Sequence, residues 1–325
     1  APAGASGSSS QYQVTATSAG QSRTLSLTAR VIASQAAGGN DFTAVLRDDG
    51  TVWTWGSNYI SQLGDGTTAD HSLPMAISTD ANGADFNGVI AIACGSYHTL
   101  ALKSDGTVWA WGANYRGELG CGTSGELRAR PIKVQGLQET SANPVIAIAA
   151  GAYYSLALKK DGSVWEWGTA PSPQDQDRLV ATQVTLSNGS PLLGTAIAAD
   201  GYHALVAKAD GTVWAWGLNA SGELGDGTAT TRSKPVQVIN NGSSLTGITA
   251  VQAGNGYSLA LKSDGTVWAW GLNYNGTLGD GTLANSSHPV QVAGFNSTNP
   301  ALAIRAARTH NLVIDGSGTV WAWGS

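Results

Sequence analysis

All twelve tryptophans of the chain lie in one tetrapeptide, Trp-x-Trp-Gly, which occurs six times. The first tryptophans of the six copies are Trp53, Trp109, Trp165, Trp214, Trp268 and Trp321. The steps between them are 56, 56, 49, 54 and 53 residues. A period of this length is typical of propeller blades and stacked arrays, in which one small unit is repeated. We therefore expect the 325 residues to fold as six copies of one unit.

The fifth copy shows the internal pattern of the unit. Three short alternating segments, Ile248–Gly254, Tyr257–Lys262 and Thr266–Gly271, predict three strands. Between the second and third lies Asp264-Gly265, and Asp-Gly between alternating apolar residues favours a two-residue type I′ hairpin with positive φ at both positions. The pattern therefore predicts antiparallel strands joined by tight turns.

A fourth strand is predicted after the polar loop that follows each tetrapeptide. It begins with a proline, as in Pro235–Val238, and proline at the head of a strand suits an edge that needs no ladder donor. Four antiparallel strands per copy make a propeller blade. The predicted fold is thus all-β, a β-propeller of six four-stranded blades over residues 32–325, with seven blades as the less favoured count.

The two indoles of each tetrapeptide are two residues apart and project from the same sheet face. Val267 and Ala269 occupy the other face of the same strand, so the sheet is apolar on both sides. Neighbouring blades can cover both faces. We therefore predict packing between blades for the tryptophans, rather than an aromatic ligand cage.

The last copy reaches Ser325 directly after its third strand, so its blade needs an outer strand. Two alternating runs near the amino terminus, Tyr12–Thr17 and Arg23–Val31, predict a hairpin over residues 11–31. Part of Arg23–Val31 is predicted to complete the last blade and close the ring, which avoids an unpaired edge. Residues 1–10 are small and polar and are expected to be a tail or linker.

The composition excludes some classes of function. Charged residues are only 12% of the chain and the net charge is −5, so no basic surface for nucleic acid is expected. No apolar run approaches the roughly 20 residues that span a bilayer, so direct membrane insertion is not expected. The composition is typical of secreted or surface proteins of bacteria. Cys94 and Cys121 allow either one disulfide or two free thiols. No cofactor is expected.

The segment Gly95–Gly120 resembles the regulator-of-chromosome-condensation repeat, and the resemblance extends from about Ala33 to Ser325. It implies a β-propeller, usually seven-bladed in the eukaryotic founding members. The family includes a guanine-nucleotide exchange factor, a plant ultraviolet-B sensor and bacterial inhibitors of β-lactamases, so the fold does not fix the function. The sensor's Gly-Trp-Arg-His-Thr motif reads Gly-Ser-Tyr-His-Thr at residues 95–99, which removes its chromophore tryptophan. The hairpin over residues 12–31 is similar to the carboxy-terminal strands of minor type IV pilins.

Tyrosines that follow the tetrapeptide are the first candidates for a binding surface, because exposed aromatic side chains serve protein and sugar recognition. The second candidate is the loop Thr169–Arg178, which abandons the Asn-x-x-Gly-x-Leu-Gly pattern of the other copies. The candidate binding residues are Tyr59, Tyr115, Arg116, Asn219, Tyr274, Asp175, Asp177 and Arg178.

Histidines recur eleven residues before the first tryptophan in three copies, at His98, His203 and His310. Phe or Tyr fills this position in the other copies, so packing or hydrogen bonding is expected there, and no metal site. Catalytic motifs are absent from the sequence.

We expect a non-enzymatic extracellular binding module, adhesin-like, for a protein or glycan. One alternative is a structural or tip component of a pilus or envelope assembly, in contact with pilus or envelope proteins. The other alternative is an enzyme with its site in the central channel, which a convergent pair of carboxylates would support.

Overall fold

The computed structural model describes residues 10–18, 21–29, 33–169 and 176–325. Every regular element in these residues is a β-strand. No helix long and apolar enough to cross a bilayer occurs in these ranges. The strands form six consecutive sheets, which we number as blades one to six, and the six-bladed propeller predicted from the repeat is confirmed.

The strand bounds repeat closely from blade to blade. Blade one contains β3 (Ala33–Gly38), β4 (Phe42–Arg47), β5 (Val52–Gly56) and β6 (His71–Ala76). Blade two contains β7 (Val89–Cys94), β8 (His98–Lys103), β9 (Val108–Gly112) and β10 (Arg128–Lys133). Blade three contains β11 (Val145–Ala150), β12 (Tyr154–Lys159), β13 (Val164–Gly168) and β14 (Arg178–Gln183).

The second half of the propeller follows the same plan. Blade four contains β15 (Ala196–Asp200), β16 (His203–Ala207), β17 (Val213–Gly217) and β18 (Arg232–Gln237), and a short hairpin of β19 (Ile239–Asn240) and β20 (Ser243–Ser244) follows it. Blade five contains β21 (Ile248–Gly254), β22 (Tyr257–Lys262), β23 (Val267–Gly271) and β24 (Ser286–Gln291). Blade six contains β25 (Ala301–Ala306), β26 (His310–Asp315) and β27 (Val320–Gly324).

Within each complete blade the strands are antiparallel and lie in chain order, with the fourth strand at the outer edge as predicted. The fourth strand begins earlier than the sequence indicates: β18 starts at Arg232, three residues before Pro235. A register shift separates the pairs Ala215–Val236 and Gly217–Arg232, so the proline lies at a bulge inside the strand. A bulge on an edge strand accommodates proline because no ladder donor is needed there.

The Asp-Gly turns differ from the predicted type I′ geometry. In blade two, Gly106 has a φ of +83°, but Asp105 is not among the residues with positive φ. The Gly106 amide donates to the carbonyl of Lys103, and the Lys103 amide donates to the carbonyl of Thr107. This is a three-residue hairpin loop, a type I turn followed by a left-handed glycine. The Asp105 carboxylate accepts the Thr107 amide at 2.9 Å, which fixes the turn without a left-handed aspartate.

The hydrophobic core consists of five clusters, each of which joins two successive blades. The second tryptophan of the tetrapeptide is at the centre of these junctions: Trp111, Trp167, Trp216 and Trp270 are at most 1% exposed. Burying one indole removes about 150–250 Å² from water, an upper-bound gain of roughly 4–6 kcal/mol. For these four tryptophans the predicted packing between blades is confirmed, whereas Trp321 in blade six is 43% exposed.

The junction between blades six and one has no such cluster in the described part of the chain. Val320 is 62% exposed, although the matching valines of blades one to five are 0% exposed. On the same face, Leu312 and Ile314 are 41% and 43% exposed. Blade six therefore presents a face that the other blades bury.

The amino-terminal strands β1 (Ser10–Ser18) and β2 (Gln21–Ala29) pair with each other as a separate two-stranded sheet. The hairpin predicted over residues 11–31 is thus present, with slightly different bounds. The sheet of blade six contains three strands among the described residues, and none of them pairs with β2. Closure of the ring by residues 23–31 stays a prediction.

Two of the three histidines in register join neighbouring blades. The His98 imidazole Nε2 lies 2.9 Å from the Ser155 hydroxyl, which itself donates to the Glu118 carbonyl, so Nε2 carries the proton. His203 makes the same contact with Ser258 at 2.8 Å. Burial lowers the pKa of His98 to about 3 and that of His203 to about 4. Both imidazoles are therefore neutral at physiological pH.

We expect the free energy of unfolding to fall as the pH decreases from about 6.5 to about 4. Both folded-state pKa values lie below the unfolded value of 6.5, so the unfolded chain takes up protons that the folded chain does not. Each histidine contributes up to about 1.4 kcal/mol per pH unit. Asp200 acts in the opposite direction. Burial raises its pKa to about 6, so over this pH range the folded chain takes up a proton at Asp200 that the unfolded chain does not. Urea unfolding at several pH values measures the slope.

His98→Phe is the informative variant, because Phe42 fills the same position in blade one. The free energy of unfolding of this variant should change less with pH than that of the wild type. The difference in slope should be up to about 1.4 kcal/mol per pH unit, which corresponds to one proton. Equal slopes for the two proteins would rule out His98 as a source of the acid sensitivity.

Deletion of residues 1–31 should lower the melting temperature by about 5 °C or more if this segment completes blade six, since a paired edge strand contributes several kcal/mol. Deletion of residues 1–9 alone is the matched control and should leave the melting temperature unchanged. Equal melting temperatures for the two deletions would exclude closure by the hairpin. Differential scanning calorimetry makes the comparison.

Candidate functional site

A row of three tyrosines lies at one mouth of the central channel. Tyr97, Tyr153 and Tyr202 each follow the inner strand of their blade, in blades two, three and four. The ring centroids of Tyr97 and Tyr153 are 6.0 Å apart, and those of Tyr153 and Tyr202 are 6.1 Å apart. All three line a cavity of about 850 Å³ that is bounded by the inner strands of all six blades. The repeat thus places one aromatic ring per blade along a continuous arc.

Two of the predicted tyrosines extend this row outward. Tyr59 and Tyr115, in the loops of blades one and two, are 60% and 47% exposed. Burial and the neighbouring Tyr97 and Tyr115 raise the pKa of Tyr59. Tyr202, Tyr97 and Tyr115 likewise contribute, after burial, to the raised pKa of Tyr153. We call these five residues, at positions 59, 97, 115, 153 and 202, the tyrosine cluster.

The other side of the channel mouth is polar and carries charge. Arg305, Arg308 and Asn255 line it, and Asp200 lies among them. Burial raises the pKa of Asp200 to about 6, while Arg308 and the Gly201 amide act in the opposite direction. Asp200 is the only carboxylate among the described residues that line the cavity. A convergent carboxylate pair, the observation that would favour an enzyme, is therefore not found in the described lining.

One ion pair joins the loops of blades two and three, and a second lies within blade three. Arg116 lies 3.3 Å from the Asp177 carboxylate, and Arg178 lies 3.1 Å from the Glu166 carboxylate. The buried Glu118 carboxylate accepts the backbone amides of Tyr115 and Arg116 at 3.0 and 2.6 Å. This contact sets the orientation of the loop that carries Tyr115. The predicted residue Asp175 lies outside the described residues.

Asn219 does not belong to the binding surface. It is 0% exposed, and its amide oxygen accepts the Leu224 amide at 2.9 Å. Its amide nitrogen donates to Asp226 and to the carbonyls of Thr228 and Thr230. The side chain therefore holds its own loop together and is not accessible to a ligand.

Tyr274 is separate from the tyrosine cluster. It is 62% exposed in the loop of blade five, whereas Tyr59 and Tyr115 belong to blades one and two. The binding role of all three tyrosines stays a prediction.

Cys94 and Cys121 are both free thiols, so the disulfide that the sequence left open is not formed. Cys94 is near the Thr99 hydroxyl at 3.9 Å, and burial raises the pKa of its thiol to about 12. Cys121 accepts a hydrogen bond from the Asn114 amide at 3.3 Å.

Sequence reasoning missed the inner tyrosines of the cluster. A usable signal was present: tyrosine directly precedes the recurring His or Tyr position in three consecutive copies, at Tyr97, Tyr153 and Tyr202. Copies one, five and six have Asp41, Gly256 and Thr309 instead. When a repeat position is aromatic in neighbouring copies and not in the others, it indicates a surface on one arc of the ring.

Six consecutive four-stranded or three-stranded sheets around a channel, with an aromatic surface at one mouth, define a β-propeller built from tandem repeats. The chain belongs to the RCC1-like domain family, whose model matches residues 4–325.

Similar curated proteins are longer than this chain. The ultraviolet-B receptor UVR8 of Arabidopsis thaliana is 28% identical over 294 residues, which is 88% of this chain and 63% of the receptor. The human E3 ubiquitin-protein ligase HERC2 is 28% identical over 280 residues, which is 86% of this chain and 5% of the ligase. The chain therefore spans less than two thirds of each. Prp20p of Saccharomyces cerevisiae has a similar structure, with a TM-score of 0.72 and 25% identity over 86% of this chain and 67% of Prp20p.

Proposed function

We propose that the chain is a non-enzymatic binding module that recognises a protein partner through the tyrosine cluster. The observation that carries this proposal is the row of Tyr97, Tyr153 and Tyr202, with ring centroids 6.0 and 6.1 Å apart across three blades. Tyrosine supplies a large, rigid contact area and one hydroxyl for hydrogen bonding. A contiguous exposed set of such rings is what a protein interface uses as its central anchors.

The geometry of the cluster suits an interface. Tyr59 and Tyr115 are exposed at the rim, while Tyr97 and Tyr153 are half-buried and in contact with each other. Rings held by their neighbours lose little conformational entropy when a partner binds. Arg305 and Arg308 at the opposite side of the mouth add donors for acidic groups of a ligand.

A protein ligand is favoured over a glycan by the properties of the relatives. Prp20p, the yeast RCC1, shares the fold and is described with binding to Gsp1p and histones and as bound to Kap60. The family is therefore used as a protein-binding scaffold, and the tyrosine cluster is the surface of this chain that fits such a use. The single carboxylate in the described lining of the channel supports a role without catalysis.

The place of action is also a proposal: the bacterial cell surface or the secreted fraction. It is supported by the low charged fraction of 12%. The separate two-stranded sheet of β1 and β2 favours, as the second candidate, a component of a pilus or envelope assembly. Protease treatment of intact source cells should degrade the protein, and survival until lysis would refute a surface location. Release by shearing together with surface filaments would select the assembly.

The test of the binding role compares three proteins: wild type, the double variant Tyr59→Ala/Tyr115→Ala, and Tyr274→Ala. All three changed tyrosines are exposed, so the fold should be preserved. Immobilised proteins capture partners from the source cells, and the recovered proteins are quantified by mass spectrometry. A partner held by the cluster should be recovered at least about tenfold less with the double variant, since each aromatic anchor contributes on the order of 2 kcal/mol.

Tyr274→Ala is the matched control and should recover the partner as wild type does. Equal recovery by all three proteins would refute the tyrosine cluster as the binding surface. If the captured ligand is removed by glycosidase treatment, the partner is a glycan and the protein assignment is wrong.

A further inference from the structure

The junction between blades three and four is built differently from the other four described junctions. In those four, the loop of the earlier blade supplies a backbone carbonyl to the indole N–H of the next blade's second tryptophan. The four pairs, with N···O distances of 2.8–3.1 Å, are Gln62–Trp111, Glu118–Trp167, Glu223–Trp270 and Thr277–Trp323. A leucine follows each carbonyl residue and is 0% exposed, at Leu63, Leu119, Leu224 and Leu278. The loop thus fills the outer end of each junction.

The carbonyl-Leu-Gly segment of the other loops is absent from the sequence of blade three, where the repeat pattern is abandoned after Gly168 and the first leucine is Leu179. Its place at the tryptophan is taken by Glu166, the middle residue of Trp165-Glu166-Trp167, where the other copies have Ala or Thr. The Glu166 carboxylate accepts the Trp216 indole N–H at 2.8 Å and pairs with Arg178 at 3.1 Å. One side chain therefore replaces the loop carbonyl as the acceptor of this indole N–H.

A second change matches the first. At the other junctions a side chain on the second strand donates to the same loop carbonyl: the hydroxyls of Thr99, Ser155 and Ser258 donate to Gln62, Glu118 and Glu223, and the Asn311 amide donates to Thr277. Blade four has Ala204 at this position. The side-chain donor is thus absent at the one described junction where a carboxylate, and not a loop carbonyl, accepts the indole N–H.

The hydrogen bond is replaced, but the buried leucine of the other loops has no counterpart in the sequence of this one. A cavity of about 240 Å³ lies beside the Trp216 indole. Its walls are mainly apolar and include Tyr154, Ala204, Trp216 and Leu218. In comparison, an engineered apolar cavity of about 150 Å³ binds benzene, so this one has room for a substituted single ring.

The cavity contains one polar group without a partner. The Thr169 hydroxyl is buried and makes no hydrogen bond in the described part of the chain. The other polar groups in the wall are engaged: the Trp216 indole with Glu166, the His203 imidazole with Ser258, and the Tyr154 hydroxyl with the His203 carbonyl. A ligand with one hydrogen-bonding group would satisfy the threonine, which otherwise carries a desolvation cost.

We propose that this junction cavity binds a single aromatic ring that carries one hydroxyl or N–H group, with the ring against Trp216 and Leu218 and the polar group on Thr169. The ring is either a free small molecule or a tyrosine or tryptophan side chain of a partner. Tyr202 lines both this cavity and the tyrosine cluster, so a partner on the cluster reaches the cavity mouth. The second source, a side chain of a partner, rests on the proposed function, and the first, a free small molecule, does not.

Titration calorimetry of the purified chain with p-cresol tests the proposal. Saturable binding with a Kd of about 1 mM or tighter is expected. Toluene, which lacks the hydroxyl, should bind about fivefold more weakly. Ala204→Leu fills the cavity and should reduce p-cresol binding at least about tenfold. The absence of saturable p-cresol binding to the wild type, or unchanged binding to a folded Ala204→Leu, overturns the proposal.

Thr169→Val keeps the test valid if Ala204→Leu does not fold. This variant should weaken p-cresol binding about fivefold and leave toluene binding unchanged, because only the hydrogen bond is removed. Thr182→Val, an exposed threonine on β14, is the matched control and should change neither. Equal loss of p-cresol and toluene binding in Thr169→Val would contradict the assigned role of its hydroxyl.

N-acetyltyrosinamide distinguishes the two sources of the ring. Binding as tight as that of p-cresol shows that the mouth admits a polypeptide backbone and assigns the ring to a partner's side chain. Binding of p-cresol alone assigns it to a free small molecule. Loss of partner capture in the Tyr59/Tyr115 variant with p-cresol binding intact would show that the surface proposal and the cavity proposal are independent.

Discussion

The structure depends on one repeated contact, the burial of the second tryptophan of the tetrapeptide in the junction between two blades, which is nearly complete for Trp111, Trp167, Trp216 and Trp270. The indole ring packs in the junction core, and in four junctions its N–H donates to a loop carbonyl of the preceding blade. The ring supplies most of the apolar area, and the hydrogen bond fixes which loop it meets. The close approach also requires glycine: a Cβ on Gly120, whose φ is +62°, would lie 2.9 Å from the Trp167 ring.

The same contact explains why variation is confined to certain positions. The turns after the inner strands can carry different side chains, as the inner tyrosines show, because these turns also contact each other through the backbone, for example from the Ala152 amide to the Gly201 carbonyl at 2.7 Å. The loop after the tetrapeptide cannot change without a consequence for the next blade. Where it does change, after Gly168, a glutamate takes over the hydrogen bond and an alanine replaces the hydroxyl. The outcome is a cavity at one junction and a stable ring around it.

Much of the fold was readable because the repeat gives six observations of one pattern. The strands over Ile248–Gly254 and Tyr257–Lys262 agree residue by residue with the prediction. The errors are local and physical. The Asp-Gly turn has a third loop residue, which a dipeptide pattern does not reveal, and β18 begins before Pro235 because a bulge admits proline inside an edge strand. The candidate site was found in part. Tyr59 and Tyr115 are exposed, but the Asn219 side chain is buried and forms hydrogen bonds within its own loop.

The sequence by itself determined the architecture of this protein, because period, alternation and tryptophan placement are local properties that every copy repeats. It determined the six blades, the strand order and the role of the indoles. Only the tertiary structure decided which side chains meet. Tyr97, Tyr153 and Tyr202 are about fifty residues apart in sequence and become neighbours because the ring brings equal positions of adjacent blades together. The cavity beside Trp216 likewise arises from a volume that packing leaves unfilled, and a volume is a property of several segments at once.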